Sequence, residues 1–377
     1  RGLLVPLLLL FLWQWVDGAE GFIQSAHGFL ARQQSRRTFH QMHSCGATCS
    51  RTFKFVDYGE SYTGEGPSIC ADGLVKGAKL HLTHWSGNET PDEYKADLST
   101  EIALRWTKLV DLDEKQKAEY EDAIVLNNHC DTDGILSVWT LLNPEKAVEY
   151  EDIMVKAAAA GDFEEWGFSD RGMQLEIAFS KLIEQAGSEA AAYDHILPQV
   201  EELLQDVSSR EELWGAEMAK LDAELDDVLE GRIRTFRVED SPSKFSHASG
   251  RIGDIGVLEH PLGCDKVQGP VVSRCFPHFV GTEGLGVSRL LLGMEQEGGG
   301  YVYSYELPGY AWADTISRPA ITKPNVKKIL QQLGPKWTAE GVGMTGLCRT
   351  TAPITTPPEQ LAQELIVLER SLLPRLA

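Results

Sequence analysis

Apolar positions along residues 53–160 recur with two alternating periods, and this pattern predicts a succession of strands and helices. Short apolar or alternating runs predict strands at 53–58, 68–71, 79–85 and 123–128. Helical spacing of apolar residues predicts helices at 91–106, 134–142 and 145–160. Strands that alternate with helices are typical of an α/β fold, and we expect a doubly wound, mainly parallel sheet. Ligands bind such sheets beyond the carboxyl ends of the strands.

Local signals in this half of the chain predict where one helix begins and where another ends. Thr90, Pro91 and Glu93 form a capping box with proline at the first helical position, so a helix should begin there. The helix at 145–160 should close with a glycine, which leaves Asp162 in the loop that follows.

The pattern changes twice farther along the chain. Residues 173–229 are acidic and keep a helical stripe of apolar residues, which indicates core packing or a bridge between domains. After residue 231, alternating runs and turn residues predict strands, including a hairpin across 298–300, before a final helix from residue 358. We therefore expect an α/β domain at 55–187, a helical bridge at 188–231 and a smaller α+β C-terminal region at 232–377.

The N-terminal stretch differs from the remainder. Arg1 precedes an apolar run too short to span a bilayer comfortably, which predicts a signal peptide over residues 1–20. Residues 21–54 are rich in basic and hydroxyl side chains and lack acidic ones, as transit peptides do. The two together resemble the bipartite presequence of algae with complex plastids, so we favour a plastid location, with a secreted or endomembrane protein as the alternative. The sequence begins without Met, so we expect it to be trimmed or partial at this end.

The formal net charge of −21 argues against a broad nucleic-acid-binding face, because such faces are strongly basic. A small phosphorylated molecule remains a suitable partner if a bound metal ion supplies positive charge locally. The seven cysteines include no C-x-x-C pair, which argues against a structural zinc ribbon and favours free thiols. No second apolar segment is long enough to span a membrane, so we expect no membrane association of the mature protein. The oligomeric state is left open by the sequence.

The residues that can carry chemistry concentrate after the strand at 123–128. His129, Asp131 and Asp133 occupy alternate positions, and alternate side chains share one face of an extended backbone. One imidazole and two carboxylates would then converge on one point, and this ligand set suits Mn, Fe or Zn better than Ca. We expect a metal site here, in which Asp131 and Asp133 are also catalytic.

Each of these residues also has a structural explanation. Asp133 can cap the following helix, Asp131 can close an Asx-turn, and His129 can be an ordinary histidine at a strand end. Gly134 supplies a backbone without Cβ where the chain turns into the helix, and the helix N-terminus would offer free N–H groups to a phosphate. The residues expected to bind substrate are Asn128, Gly134, Ser137 and Asn88.

A dinuclear site needs further ligands, and two residues near the ends of predicted elements are candidates. His84 follows a strand and Asp162 follows a helix. His84 can instead be a buried histidine packed beside Trp85, and Asp162 an ordinary loop residue after a helix C-cap. His247 and His260 are weaker candidates for the same role.

The segment from Asn127 to Ser137 resembles the first motif of the DHH phosphoesterase superfamily, which reads strand-H-x-D-x-D-G-x-x-S-helix. That superfamily includes RecJ-like nucleases, exopolyphosphatases and phosphodiesterases of oligonucleotides and cyclic dinucleotides. The resemblance implies a DHH-like fold and two Mn ions that activate water for phosphoester hydrolysis. It also implies that His129 and Asp131 hold one ion and that Asp133 holds the other.

The chain departs from that superfamily in two respects. No His-His dipeptide occurs, so the Asp-His-His motif is missing, and the glycines at 298–300 are followed by Tyr301 instead of histidine. Most of residues 55–335 also resemble a family of uncharacterised, mainly bacterial proteins. The matching runs are 70–73, 82–91, 97–101, 127–137, 141–145 and 159–163.

The function expected from these residues is metal-dependent hydrolysis of a small phosphorylated substrate, with water activated by Mn and two ions possible. One alternative is a nucleotide- or phosphate-binding regulatory protein that keeps a degenerate site without turnover. Another is a metal-dependent hydrolase of a different bond type. Serine catalysis and P-loop binding have no suitable motif in the chain.

Overall fold

The computed structural model describes residues 50–110, 113–166, 169–240, 252–262 and 284–372. The signal peptide expected at 1–20 lies outside these ranges, as does the segment expected at 21–54 up to residue 49. Residues 52–55 form a strand, so the first sheet already includes the end of that segment.

Four parallel strands form the first sheet. They are β1 (Thr52–Phe55), β2 (Ser68–Ala71), β3 (Leu80–Leu82) and β4 (Ile124–Asn127). Their spatial order is β1-β4-β2-β3, and each neighbouring pair is parallel. Parallel pairing puts the carboxyl ends of all four strands at one edge of the sheet. The predicted α/β fold with a parallel sheet is confirmed.

The helices that follow in this half are α1 (Ser99–Val110), α2 (Glu114–Tyr120), α3 (Thr132–Leu142), α4 (Pro144–Glu149) and α5 (Glu151–Asp162). Strand residues such as Ile69 and Val125 share one buried core with residues of all five helices. On the opposite face, Cys70 and Leu126 pack against loop residues such as Tyr62. Within the described residues that second cluster contains no helical residue, because the loops between β1 and β2 and between β2 and β3 cover this face. The expected helices on both faces of a doubly wound sheet are therefore not found there.

Helix α1 begins at Ser99, well after the predicted start, so the predicted capping box is wrong. The Thr90 hydroxyl is instead bonded to the main chain of Thr83, where it donates to the carbonyl oxygen and accepts the N–H. The helix start is capped from another helix, because the Asp133 carboxylate accepts the N–H groups of Ser99 and Thr100. The Asp133 cap comes from a distant segment and leaves no signal in the sequence around Ser99, although Glu101 within α1 also accepts the N–H groups of Asp97 and Leu98.

The stretch expected as one helix at 145–160 is two helices, α4 and α5, which meet at Tyr150. The Tyr150 N–H donates to the Ala147 carbonyl oxygen and ends the first of them. Helix α5 continues through Asp162 and ends at Phe163, so Asp162 is the last helical residue and not a loop residue. A helix of three turns therefore presents the Asp162 carboxylate.

Four further helices follow, and two of them link the core of the first sheet to that of a second sheet. They are α6 (Asp170–Ala186), α7 (Glu189–Ile196), α8 (Val200–Asp206) and α9 (Glu211–Leu229). Helix α6 contributes residues such as Phe179 to the first core and Ile177 to the second. Helix α9 joins the second core through Leu221. The helical region expected at 173–229 is confirmed, and its apolar stripe is core.

The second sheet has six strands of mixed direction. They are β5 (Arg234–Val238), β6 (Ile255–His260), β7 (Arg289–Glu295), β8 (Tyr301–Glu306), β9 (Trp337–Thr338) and β10 (Gly346–Thr350). Their order is β5-β6-β7-β8-β10-β9, with β6 and β7 parallel and the other pairs antiparallel. The hairpin predicted across 298–300 is confirmed as β7 and β8. Helices α10 (Val326–Leu333) and α11 (Pro358–Leu372) pack on the face of this sheet that α6 and α9 do not contact.

One segment of the second half returns to the first sheet. Residues 309–318, which we call the strap, follow β8, and their Tyr310 belongs to the core of the first sheet. The Asp314 N–H donates to the His84 carbonyl oxygen at 2.9 Å. Trp312 Nε1 donates to the Asp162 carbonyl oxygen at 3.1 Å. Across the described ranges, no helix combines the length and the apolar character needed to cross a bilayer.

Candidate metal centre

Asp72 lies at the centre of the site, directly after β2 at the carboxyl edge of the first sheet. Its backbone has a φ of 56°, in the left-handed region, and its side chain is fully buried. The Ser99 hydroxyl donates to Asp72 Oδ1 at 2.8 Å, whereas Oδ2 lies 2.7 Å from His129 Nε2. The Asp-Gly pair at 72–73 is an ordinary turn signal, and sequence reasoning therefore misses Asp72.

Two predicted ligands meet Asp72 on one side. His129 Nε2 lies 2.7 Å from Asp72 Oδ2 and 3.2 Å from Asp131 Oδ2. These three residues can each offer a ligand atom within 4.8 Å of the other two, and we call this group the His129 position. Helix α7 helps to hold it, because Tyr193 Oη donates to the His129 carbonyl oxygen at 3.0 Å.

A second group shares Asp72 on its other side. Asp72, His84 and Asp133 also offer ligand atoms within 4.8 Å of one another, and we call this group the His84 position. His84 Nε2 lies 3.8 Å from Asp72 Oδ1 and 3.6 Å from Asp133 Oδ2. The same nitrogen lies 3.0 Å from Asp162 Oδ2. All five residues predicted as metal ligands therefore lie around Asp72.

The main chain fixes the orientation of His84. Its Nδ1 lies 2.7 Å from the carbonyl oxygen of Asp97, and a carbonyl can only accept, so Nδ1 carries a proton. The ring is buried and meets the Trp312 ring edge-on, with 4.9 Å between centroids. Metal-bound histidines commonly use this arrangement, in which the second ring nitrogen donates to a carbonyl or carboxylate oxygen.

The backbone conformation that positions Asp133 in the site differs from the predicted one. The sequence predicts that it shares the face of an extended backbone with its neighbours, but it lies in the first turn of α3. Its Oδ2 accepts the Ser99 N–H at 2.8 Å and its Oδ1 accepts the Thr100 N–H at 2.7 Å. The buried carboxylate therefore caps α1 and belongs with His84.

Asp131 is the residue that caps α3. Its Oδ1 accepts the Gly134 N–H at 2.7 Å, so the capping role considered for Asp133 falls here. Because this N–H is already bonded, it differs from the free group predicted for a phosphate. A Cβ on Gly134 would lie 2.8 Å from both Asn127 Nδ2 and Tyr193 Oη, which explains a glycine at this position.

Four buried atoms of the cluster have no well-aligned hydrogen bond among the described residues. They are Asp72 Oδ2, His84 Nε2, His129 Nε2 and Asp162 Oδ2, which lie close in pairs, with Asp72 2.7 Å from His129 and His84 3.0 Å from Asp162. Buried polar atoms are normally satisfied, since an unsatisfied one costs about 1–3 kcal/mol. Cations placed between these atoms would satisfy them, so the cluster fits a metal site.

Burial and neighbouring charges shift the pKa values of the cluster residues. Burial alone lowers the pKa of His84, but the nearby carboxylates, that of Asp162 foremost, outweigh burial and raise this pKa to about 10. Burial and then the Asp72 carboxylate raise the pKa of Asp133 to about 6. Burial and then the charge of Asp131 raise the pKa of Asp162 well above its ordinary value. The cluster therefore retains protons that a divalent cation would displace.

The cluster reaches the surface at the His129 position. The Asp131 side chain is 42% exposed and that of His129 is 15% exposed, whereas that of Asp72 is fully buried. The half-buried Trp85 ring lies beside this opening, 4.7 Å from the His129 ring between centroids. A separate cavity of about 450 Å³ is lined by the strap and the loop after β3, and His84 is the one cluster residue in its lining.

The predicted substrate-binding residues take different places. Asn128 adjoins the His129 position, with Oδ1 3.4 Å from His129 Nδ1. Ser137 lies inside α3 and donates to a main-chain carbonyl oxygen of its own helix. Asn88 lines the cavity and donates to Asp314 Oδ2 of the strap at 3.3 Å. Of these three, Asn128 is the one that contacts a cluster residue.

The two weaker candidates lie elsewhere. His260 is on β6 of the second sheet and belongs to neither ligand group. His247 lies outside the described residues. Both ligand groups therefore draw their members from the first half of the chain.

The model of a family of unknown function, DUF6687, matches residues 51–356. The chain belongs to this family. The match runs from just before β1 to beyond β10, so it includes the whole cluster and the strap. No curated protein and no solved structure gives a significant match. The expectation of an uncharacterised family is confirmed, and the likeness to DHH phosphoesterases stays a prediction.

Proposed function

We propose that this protein is a hydrolase that binds two divalent cations and cleaves a phosphoester in a small anionic substrate. The observation that carries the proposal is the shared carboxylate of Asp72. Its two oxygens face different histidines, with Oδ2 toward His129 and Oδ1 toward His84. A carboxylate shared by two ligand groups suits a pair of cations held close together, as in two-metal hydrolases.

The donor set fits two divalent cations in charge and in chemistry. Its four carboxylates carry four negative charges, which two divalent cations balance. The donors are carboxylate oxygens and imidazole nitrogens without thiolates, a set that suits Mn. Bound cations would supply an activated water and neutralise the charge that develops on the phosphoryl group.

Residues of the chain would orient this chemistry. Asp97 holds His84 so that Nε2 faces the cluster, and the N-terminus of α1 holds Asp133 through two N–H groups. Asp131 is the partly exposed carboxylate at the opening, where it can accept a proton from the attacking water. The net charge of −21 repels anions in general, so binding of an anionic substrate would depend on the cations.

The distribution of ligands agrees with the resemblance to DHH phosphoesterases. In that superfamily the histidine and first aspartate of the motif hold one ion and the second aspartate holds the other. Here His129 and Asp131 lie in one group and Asp133 lies in the other. If the fold is DHH-like, three residues would replace the ligands of the missing Asp-His-His motif. They are Asp72 after β2, His84 after β3 and Asp162 at the end of α5.

A second candidate function is metal-dependent binding of a nucleotide or phosphate without turnover. One observation favours it: among the described residues, no lysine or arginine pairs with a carboxylate of the cluster. Charge on a transferred phosphoryl group would then be stabilised by the cations alone, whereas phosphoryl-transfer enzymes often add an arginine or lysine.

The test compares wild-type protein with Asp72→Asn, which keeps the shape of the side chain and removes the shared charge. After chelator treatment and addition of Mn, bound metal is counted by mass spectrometry and hydrolysis of bis(4-nitrophenyl) phosphate is measured. We expect about two Mn per wild-type chain and Mn-dependent hydrolysis. In the variant, Mn affinity should fall by more than about 100-fold, because losing a mere partner of a ligand already costs 10–100-fold.

Asp57→Asn is the matched control, since it makes the same change at an exposed loop position of the same half. It should behave as wild type. Wild-type protein that binds fewer than two Mn would contradict the proposal, and so would unchanged turnover in Asp72→Asn. Two bound Mn and tight phosphate binding, with no hydrolysis of mono- or diesters, would instead establish the second candidate.

A further inference from the structure

We propose that Asp97 and Arg318 are positioning residues through which the strap completes the His84 position, while the His129 position forms without them. This inference rests on the proposed function, because it concerns the second of the two cations. It predicts that the C-terminal half decides whether the protein holds one ion or two.

Asp97 connects the strap to a ligand through its two ends. Its main-chain oxygen accepts the proton of His84 Nδ1 at 2.7 Å. Its buried carboxylate accepts the Ser317 N–H at 2.9 Å and also the Ile316 N–H. The residue that fixes the His84 ring is therefore itself fixed by the strap.

Arg318 ties together the two chain segments that carry this position. Its Nη1 lies 2.7 Å from Asp97 Oδ2, before α1, and its Nη2 lies 2.7 Å from Glu165 Oε2, just after α5. The guanidinium also lies over the Phe163 ring, 5.3 Å from its centroid. Phe163 directly follows Asp162, so a single arginine spans the supports of both His84 and Asp162. A planar guanidinium can make such a two-sided contact, which a lysine cannot reproduce.

The strap also touches the ligand residues directly. The Asp314 N–H donates to the His84 carbonyl oxygen at 2.9 Å. Trp312 Nε1 donates to the Asp162 carbonyl oxygen at 3.1 Å, and its ring meets that of His84. These contacts restrain the two main-chain positions from which the ligand side chains project.

The His129 position has no comparable link. Among the described residues, no hydrogen bond of the strap goes to His129 or Asp131. Its nearest connection is through Trp85, whose ring lies 4.7 Å from that of His129 and 6.0 Å from that of Trp312. Tyr310 of the strap packs instead in the core of the first sheet, and its ring meets that of Phe163, next to Asp162.

Loss of these contacts should therefore weaken one ion selectively. Replacement of a group that orients a metal ligand typically lowers metal affinity by about 10–100-fold. We expect Arg318→Met to weaken the second Mn by that factor and to leave the first Mn with wild-type affinity. At a free Mn concentration that just fills both wild-type sites, the bound metal should then fall from about two ions per chain to about one.

The experiment titrates Mn into the full chain and follows it by calorimetry and electron paramagnetic resonance. Two neighbouring Mn ions couple magnetically and broaden the spectrum, whereas a single bound Mn keeps resolved hyperfine lines. Wild type should give the coupled spectrum and Arg318→Met the uncoupled one. Arg234→Met is the matched control, because it removes an Arg–Glu pair of 2.7 Å elsewhere in the same half. Trp312→Phe, which keeps an aromatic ring but loses the N–H donor, should give a smaller loss in the same direction.

Three outcomes separate the possibilities. A coupled spectrum and two tight Mn sites in both Arg318→Met and Trp312→Phe would overturn this inference and leave the proposed function intact. Wild-type protein with fewer than two Mn would overturn the proposed function itself, and the inference with it. Equal weakening of both Mn sites in both folded variants would also overturn the inference, since the strap would then support the whole cluster.

Discussion

Gly73 limits the local geometry next to Asp72. It has a φ of 61°, and a Cβ there would overlap Asn128 Oδ1 and lie 2.8 Å from Asn127 Oδ1 and 3.0 Å from His129 Nδ1. Gly73→Ala therefore combines backbone strain with a clash against the site. We expect a loss of free energy of unfolding of about 2–4 kcal/mol, of which the backbone conformation contributes about 1–2 kcal/mol. Denaturant unfolding of the chelated protein measures it.

Gly59→Ala is the control that measures backbone strain without a clash. Gly59 has a φ of 87°, and nothing lies within 4 Å of an added Cβ. It should lose about 1–2 kcal/mol and keep wild-type Mn affinity. Gly73→Ala should lose Mn affinity as well, since His129 and Asn128 must shift. Equal losses of stability in the two variants, with Mn binding intact, would contradict the role given to Gly73.

Among single residues, the sequence reveals those functional side chains that directly follow a predicted strand. The strand predicted at 123–128 is followed by His129, Asp131 and Asp133. His84 lies at the carboxyl end of the strand predicted at 79–85. Asp72 has the same kind of position but is followed by glycine, so local reasoning assigns it to a turn. Its role depends on which strands are neighbours, and the order β1-β4-β2-β3 places β2 next to β4 although β3 intervenes in the chain.

The start of α1 has its own titratable cap. Glu101 Oε2 accepts the Asp97 N–H at 3.2 Å and the Leu98 N–H at 3.3 Å. Burial is the largest influence and raises the pKa of Glu101 above its ordinary value of 4.5, with Arg318 opposing it and Asp97 adding to it. A raised pKa in the folded state means that stability from this group is complete below pH 4.5 and is lost as the pH rises through the folded pKa.

Glu101→Gln should therefore raise the melting temperature at pH 7, because the neutral amide keeps an acceptor oxygen without the cost of a buried charge. At pH 4 the two proteins should melt at nearly the same temperature, since the glutamate is then largely protonated in both states. Calorimetric scans of the chelated proteins at both pH values check this. A lower melting temperature for Glu101→Gln at pH 7 would mean that the charge strengthens the cap more than burial penalises it.

The sequence predicts a helix or strand correctly where local interactions alone determine its structure. The strand at 68–71 and the final helix depend on local periodicity, and both have nearly the predicted bounds. The sequence places the start of α1 too early because its cap comes from Asp133, and it gives no sign of the break at Tyr150. A contact between distant segments decides the first case.

For the whole molecule, cation binding should appear as stability. Ions that bind only the folded state at about 100 times their dissociation constant add about 2.7 kcal/mol per site. Addition of Mn should therefore raise the free energy of unfolding of the chelated protein by roughly 5 kcal/mol for two independent sites. Urea denaturation with and without Mn measures the difference.

The net charge of −21 requires a control at matched ionic strength, because NaCl also screens repulsion in an acidic protein. NaCl should give a small, unsaturable gain, and Mn a large gain that saturates with binding. A Mn effect no larger than that of NaCl would argue against specific sites.

At the largest scale, periodicity predicted the parallel sheet, the helical region and the later strands, because each repeats over many residues. It did not predict that α6 serves two cores, nor that the strap crosses back to His84 and Asp162. The strap is short and aromatic, and its partners lie more than a hundred residues away in the chain. Nothing in its own composition indicates where it binds.

The strap has a consequence for how the protein matures during translation. Ribosomes release a chain from its N-terminus, and N-terminal parts generally fold first. Every ligand of the cluster precedes residue 163, but Arg318 is made much later. If the strap completes the His84 position, a chain that lacks residue 318 cannot yet carry both cations. Binding of the second cation would then begin only after residue 318 has left the ribosome, so that chains truncated before it would hold one cation at most.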